Sequence, residues 1–351
     1  MKRVKRSTEK NLTINDIARE AGVSKATVSR VLNNPEKVAE TTRKKVLSVI
    51  QERHYRPNPL ARALTIQRTG IIGVIVSDIT NPFYAVMVRN IEEVCRMHQH
   101  YIFLCNTDGR KEEEEFYIRS LLEKKVDGMI LAATQMDSQG LELLKNTHLP
   151  FIFVSRLPKE RECCDYVMAD NILGGYMATQ YLLSLGHRKI AYFAGRWETS
   201  SNLDRFEGYK KALLEQGVPF EENYVYCGEF TMEGGYREGI KMLTGSADRP
   251  TAVFCANDNM AIGLLEACRE RKVKVPDEIS IIGFDDIPLS SFRSIQLTTI
   301  SQSIAEMGAL SGKIIIDKIL DPGKRNLRHQ VVFPPKLIIR KTCTRVKEPK
   351  E

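Results

Sequence analysis

From Ile71 to Phe284 the chain alternates short apolar runs with longer segments of helical period, and this alternation restricts its fold more than any other feature. The apolar runs lie at 71–77, 101–105, 126–132, 151–155, 189–194, 224–228, 252–256 and 280–284. Amphipathic stretches at 82–97, 111–124, 172–185, 231–243 and 259–271 separate them. Strand-length runs joined by crossover helices indicate parallel sheets with helices on both faces. Eight strands are many for one doubly wound sheet in this length, so two sheets are expected, dividing near Asp170 and Asn171.

The residues before this body differ in charge. The whole chain has 52 Lys and Arg against 44 Asp and Glu, a net +8. Residues 1–68 hold 16 of the basic and only 6 of the acidic side chains, so the remainder is close to neutral. A basic head on a near-neutral body reads as a small anion-seeking module joined to a domain with another job. No apolar run approaches the roughly 18 residues of a membrane helix, and none follows the basic start as a secretion leader would require. A cytoplasmic protein without membrane contact is therefore expected. The eight cysteines have no metal-ligand spacing, and most sit in apolar runs where a thiol packs as a small hydrophobe. The adjacent Cys163 and Cys164 are the one redox candidate. Neither a metal nor a cofactor is expected.

Within the head, Thr13-Ile14-Asn15-Asp16 has the form of a helix N-cap, with Asp16 placed to answer the first-turn amides. Gly22 breaks that helix, Ser24 caps a second over Lys25–Leu32, and Asn33-Asn34-Pro35 ends it. Val28, Val31 and Leu32 fall on one face, leaving Lys25, Ala26, Ser29 and Arg30 outside. A third helix near Glu40–Arg53 brings Val46, Val49 and Ile50 beneath them. Two short helices around a tight turn form a helix-turn-helix, whose second helix enters the DNA major groove.

The run Thr13–Asn33 resembles the DNA-binding start of the lactose/galactose repressor family, and Tyr55–Leu64 is similar to that family's hinge. The resemblance implies that Lys25, Ala26 and Arg30 face base edges, Arg30 as the guanine reader. Thr13, Ser24, Thr27 and Asn33 would position the module through phosphates, and Lys25 suits either task. Asn58 and Pro59 open a hinge helix too short to persist alone. The family pairs two such helices on DNA, and Leu64 matches the leucine that wedges into the minor groove. Residues 1–12 depart from the pattern: their five basic side chains either add phosphate contacts or form a solvated tail.

In the body, polar residues cluster where the apolar runs end, the place where open α/β sheets bind ligands. Ser77–Tyr84, Ser155-Arg156, Asp170-Asn171, Asn202–Arg205, Asn257-Asp258 and Asp285-Asp286 form this ring, with Phe83, Trp197 or Phe230 available to stack on a flat ligand face. Asp170-Asn171 with Gly174-Gly175, Arg205–Tyr209, Phe254–Asp258 and Ile282–Asp285 resemble the family's effector-domain landmarks. By that resemblance Arg205 and Asp285 are the strongest effector contacts, with Asn257 and Asp170 next; Asp170 serves either the ligand or the lobe crossing. Trp197 either stacks on a sugar or shields its loop. The family's purine-binding member has an arginine where Thr199 stands here, which points away from a purine and towards a sugar, sugar phosphate or nucleoside.

The expected organisation is a basic tail at 1–12, a helix-turn-helix domain at 13–57 and a hinge with linker at 58–69. An effector-binding and dimerisation body follows at 70–345, with a polar tail at 346–351. Its near lobe would comprise 71–170 and 303–330, its far lobe 171–301 and 333–345. The expected protein is a homodimeric repressor on a pseudo-palindromic operator in double-stranded DNA, controlled by a carbohydrate-like effector. A solute-binding transport protein shares the two-lobed body but not the basic head. No dinucleotide, P-loop or zinc-protease signature supports an enzyme.

Overall fold

The computed structural model describes residues 12–33, 35–55, 68–245 and 249–346. It divides into two compact units, Met1–Thr69 and Gly70–Glu351.

The first unit packs three helices, α1 (Ile14–Glu20), α2 (Lys25–Asn33) and α3 (Glu40–Glu52). Its core is small and wholly apolar: Ile17, Ala18, Ala21, Val28, Val31 and Val46. Helix α1 starts at a capping box, in which Thr13 N–H donates to Asp16 Oδ2 at 3.0 Å and Asp16 N–H to Thr13 Oγ1 at 3.4 Å. Gly22 turns the chain at φ +61°, a conformation that costs glycine least. Thr27 N–H then donates to Ser24 Oγ at 3.1 Å, closing the first turn of α2.

The second unit contains two six-stranded sheets. The first has the order β11-β5-β4-β3-β1-β2, all parallel, from β1 (Ile71–Val76), β2 (Tyr101–Asn106), β3 (Gly128–Leu131), β4 (Phe151–Val154), β5 (Tyr166–Ala169) and β11 (Gln330–Phe333). The second has the order β12-β10-β9-β8-β6-β7, from β6 (Ile190–Ala194), β7 (Val225–Cys227), β8 (Ala252–Cys255), β9 (Ser280–Asp285), β10 (Thr298–Ser301) and β12 (Lys336–Ile338). Only its edge pair β10–β12 is antiparallel among the described strands. The central strands are buried along their length, as parallel strands covered on both faces must be.

Helix α4 (Pro82–Met97) packs with α11 (Ile304–Leu320) on one face of the first sheet, and α5 (Lys111–Glu123) with α6 (Gly140–Lys145) on the other. Around the second sheet, α7 (Asn171–Ser184) pairs with α8 (Ser200–Glu215), and α9 (Met232–Thr244) with α10 (Asp258–Glu270). The α7–α8 approach is backbone to backbone. A Cβ on Gly175 would stand 2.2 Å from Arg205 O, and one on Gly208 2.1 Å from Ile172 O.

Three segments carry the chain between the sheets, after β5, after β10 and after β11. The first and last run side by side, Asp170 N–H donating to Phe333 O at 3.0 Å. Strands β5, β10, β11 and β12 lie outside the eight expected apolar runs. They are three or four residues long, and β10 (Thr-Thr-Ile-Ser) and β12 (Lys-Leu-Ile) lack a distinct apolar run.

Candidate DNA-reading face and ligand cleft

On α2, Val28 and Val31 are buried in the head's core, while Lys25, Ala26 and Arg30 are exposed side by side along the opposite face. Ala26 adds almost no bulk between two cations, so another backbone or base edge can approach closely. Thr13 and Ser24 are exposed at the helix starts and Thr27 is half-buried beside them, its hydroxyl 2.9 Å from that of Ser24. The side chain of Asn33 and all of Leu64 lie outside the described residues.

In the body a cavity of about 20 Å³ is lined by Asn81, Phe83, Tyr84, Ser155 and Arg156 from the first lobe and Ser201, Arg205, Phe230, Asn257 and Asp285 from the second. That volume holds about one water. The lobes meet directly around it: Arg196 Nη1 donates to Gly109 O, Met136 N–H to Glu198 O and Leu157 N–H to Ser200 Oγ, each at 2.9 Å. The two lobes are therefore hydrogen-bonded to each other beside the cavity.

Arg205 projects from α8 and Asp285 ends β9, with Nη1 and Oδ1 3.7 Å apart and both side chains buried. Arg205 also donates to Asn171 Oδ1 at 2.9 Å and to Ala256 O, and its guanidinium lies 3.8 Å from the centre of the Phe284 ring. Burial pushes the Arg205 pKa down and the Asp285 carboxyl up, and each partner's charge opposes the shift of the other. Asp285 accepts from Gln302 Nε2 and holds φ at +123°, a strained value for a residue with a side chain. Asn257 caps α10, accepting from Met260 N–H at 2.9 Å, and its Nδ2 donates to Phe230 O at 3.1 Å. It thus fixes the segment that carries the Phe230 ring. Behind the site, buried Asp258 accepts from Ser290 Oγ, Thr299 Oγ1 and Ile287 N–H, tying α10 to the segment after β9.

Five of the seven residues expected to contact an effector therefore meet at one cavity: Arg205, Asp285, Asn257, Phe83 and Phe230. The other two stand elsewhere. Asp170 caps α7, its Oδ1 accepting from Leu173 N–H at 2.9 Å, beside the lobe crossing. Trp197 packs edge-on against Phe206 at 5.1 Å and points Nε1 at Cys227 Sγ, 3.2 Å away. Thr199 is fully buried and closes its own turn by donating to Arg196 O at 2.8 Å. Asn81, Tyr84, Ser155 and Arg156, members of the polar ring at the run ends, also line the cavity, and Ser201, just before Asn202–Arg205, joins them. For the first four the signal in the sequence is position alone, at or just beyond the ends of apolar runs; Ser201 lies in the first turn of the following helix.

Among the described residues, no group of His, Cys, Asp and Glu is arranged to hold a metal ion, and no helix is long and apolar enough to cross a membrane.

A helix-turn-helix with a cationic outer face, followed by a two-lobed body closing on a polar cleft, defines a ligand-linked transcription regulator. Residues 13–58 match the model of bacterial regulatory proteins, lacI family, and residues 179–343 match a periplasmic binding protein-like domain. The chain is 37% identical over 331 residues to the HTH-type transcriptional repressor PurR of Photobacterium profundum, covering 94% of this chain and 98% of that one. It is 39% identical over 332 residues to the HTH-type transcriptional regulator DegA of Bacillus subtilis, covering 93% and 97%. Among solved structures, the Lac repressor dimer bound to operator and the anti-inducer ONPF superposes with a TM-score of 0.84 at 26% identity, over 95% of this chain and all of that one. The complex of the regulator CelR with cellobiose gives 0.72 at 29% identity, over 94% and 99%. This chain belongs to the lacI family of bacterial regulatory proteins.

Proposed function

We propose that the protein is a cytoplasmic, non-catalytic repressor that binds a pseudo-palindromic operator as a homodimer and releases or tightens its hold when a small polyhydroxylated effector enters the cleft. The observation that carries this reading is the outer face of α2, where Lys25, Ala26 and Arg30 stand exposed over a fully apolar underside. Arg30 reads a guanine through O6 and N7, and Lys25 and Ala26 fit the neighbouring base edges. Thr13, Ser24, Thr27 and Asn33 set the register through phosphates, and Leu64 wedges into the minor groove. Arg205, Asp285, Asn257, Phe83 and Phe230 bind the effector, while Asp170 and Trp197 act at the lobe crossing and the neighbouring loop. A Lac repressor dimer on its operator and a regulator holding cellobiose are the solved relatives that support this reading.

Lobe closure on a ligand is a hinge movement whose coupling to DNA is reciprocal: effector alters operator affinity by the factor by which operator alters effector affinity. Selection of the full chain against random duplexes, followed by a titration of sugars against the recovered DNA, tests both halves. Recovery of two inverted half-sites, with affinity shifted by one sugar class, is the expected result. Recovery of no palindrome, or of one that no ligand affects, removes the corresponding half.

A further inference from the structure

We propose that a groove at the base of the first lobe is a second ligand site, which takes a phosphate monoester carried on a flat or apolar body. It lies apart from the cleft and does not depend on the cleft being the effector site.

The groove has a volume of about 570 Å³, within the range of small-molecule sites and far larger than the cleft cavity's 20 Å³. Lys145, His148, Lys318, Arg325 and Arg328 line it, and Asp165 is the one carboxylate among the described lining residues. That carboxylate is already matched: Oδ2 accepts from Lys318 Nζ and Oδ1 from His329 N–H at 2.7 Å, with Asp165 and Lys318 both buried. Lys145 is engaged by Glu142 and Glu160, outside the lining, at 2.7 and 2.6 Å. Arg325 and Arg328 are solvent-exposed, and no carboxylate of the described residues pairs with either. Their guanidiniums are always charged, and each presents a planar fork of donors. Two such forks on one turn suit a phosphate monoester, whose three free oxygens accept several charged hydrogen bonds at once, better than a carboxylate.

The turn that carries these arginines is held at both ends by the buried ion pair. Arg325 Nε donates to Lys318 O at 3.4 Å, Arg325 O accepts from Lys318 Nζ at 3.2 Å, and the His329 amide that Asp165 holds directly follows Arg328. Leu141, Leu149, Pro150, Phe151 and Leu327 give the groove an apolar wall. Leu327, between the two arginines in sequence, is 53% exposed, and the body of an amphiphilic ligand would cover it. Asp165 and Arg328 lie just before β5 and β11 and Phe151 opens β4, so the groove is at the end where these parallel strands begin, as is Gly70 before β1. The cleft residues Ser155 and Arg156 follow β4 at its other end. The two sites thus stand at opposite ends of one sheet.

The test uses the full chain with phenyl phosphate and uridine 5′-monophosphate as probes, and benzoate, uridine and inorganic phosphate as controls. Calorimetric titration and thermal unfolding are the readouts. Both monoesters are expected to bind and raise the unfolding temperature, uridine to do neither, and benzoate and inorganic phosphate to bind more weakly. Arg325→Gln combined with Arg328→Gln, two exposed positions, should weaken monoester binding roughly 10- to 100-fold, as loss of charged hydrogen bonds does. Leu327→Glu should weaken it as well, and Asp285→Asn in the cleft should leave it unchanged. Monoester binding that survives the double substitution, or that Asp285→Asn removes, overturns the proposal. So does benzoate matching phenyl phosphate, inorganic phosphate matching the monoesters, or no binding of either monoester. A double variant that loses operator affinity in a protein that binds no monoester would assign the arginines to DNA instead.

Discussion

Arg205 Nη1 and Asp285 Oδ1 stand 3.7 Å apart in the floor of the cleft, one from the second turn of a helix and the other from the end of a buried strand. The pair occupies the second lobe alone, yet its faces form the wall against which the first lobe closes. Removing one member of a buried pair leaves the other desolvated and unmatched. Arg205→Ala should therefore destabilise the body by about 3–5 kcal/mol, measured by urea unfolding at neutral pH. Asp285→Asn should cost less, because Arg205 keeps Asn171 and the Ala256 carbonyl as acceptors. An unfolding midpoint for Arg205→Ala equal to wild type would show that the pair has no structural part.

The exposed face of α2 leads to a prediction about sequence readout. Arg30→Ala should weaken operator binding by about 1–3 kcal/mol and relax preference at one base pair in each half-site. Binding to an operator library would reveal it. A uniform loss over all sequences, with a shallower salt dependence, would reassign Arg30 to the phosphates.

Trp197 is the only tryptophan in the chain. Its neighbour Arg196 bridges the lobes by donating to Gly109 O at 2.9 Å, and its own ring packs on Phe206 and Cys227. Parting the lobes breaks the Arg196 contact and disturbs the loop. Effector binding should therefore shift tryptophan emission, and Arg196→Ala should reproduce part of that shift without ligand. Constant emission at saturating effector would mean that the loop does not follow the lobes.

His187 supplies a pH dependence. Its Nε2 lies 3.0 Å from Thr344 O, which only accepts, so that nitrogen carries the proton and Nδ1 faces the Thr251 hydroxyl at 2.9 Å. Burial pushes its pKa below the ordinary 6.5. The unfolded chain then binds the proton more readily than the folded one, so the contribution to stability is present above about pH 6.5. It is lost as pH falls through that value towards the folded pKa. The difference in unfolding free energy between wild type and His187→Asn should shrink between pH 7.5 and 5. A difference independent of pH would show that His187 titrates alike in both states.

Much of this was legible in the linear pattern. The capping box at Thr13 and Asp16, the turn at Gly22 and the split of α2 into Val28 and Val31 against Lys25, Ala26 and Arg30 follow from spacing, because a short helix sorts its own faces. The eight apolar runs became eight of the strands, since a strand covered on both faces must be apolar throughout. Four further strands escaped because pairing with neighbours already in place lets very short segments join a sheet. Thr298–Ser301 and Lys336–Ile338 are held by their partners rather than by their own hydrophobicity.

The sequence by itself determined the kind of protein: a basic helix-turn-helix followed by two parallel sheets with polar strand ends. Only the tertiary structure decided which of those polar ends meet. It gathered Arg205, Asp285 and Asn257 with Phe83 and Phe230, gave Asp170 to a helix cap and Trp197 to a loop, and left Arg156 in the cavity with no carboxylate. The reason is physical: whether a charge is buried, and whether it is paired, depends on neighbours many residues away, which local spacing does not encode.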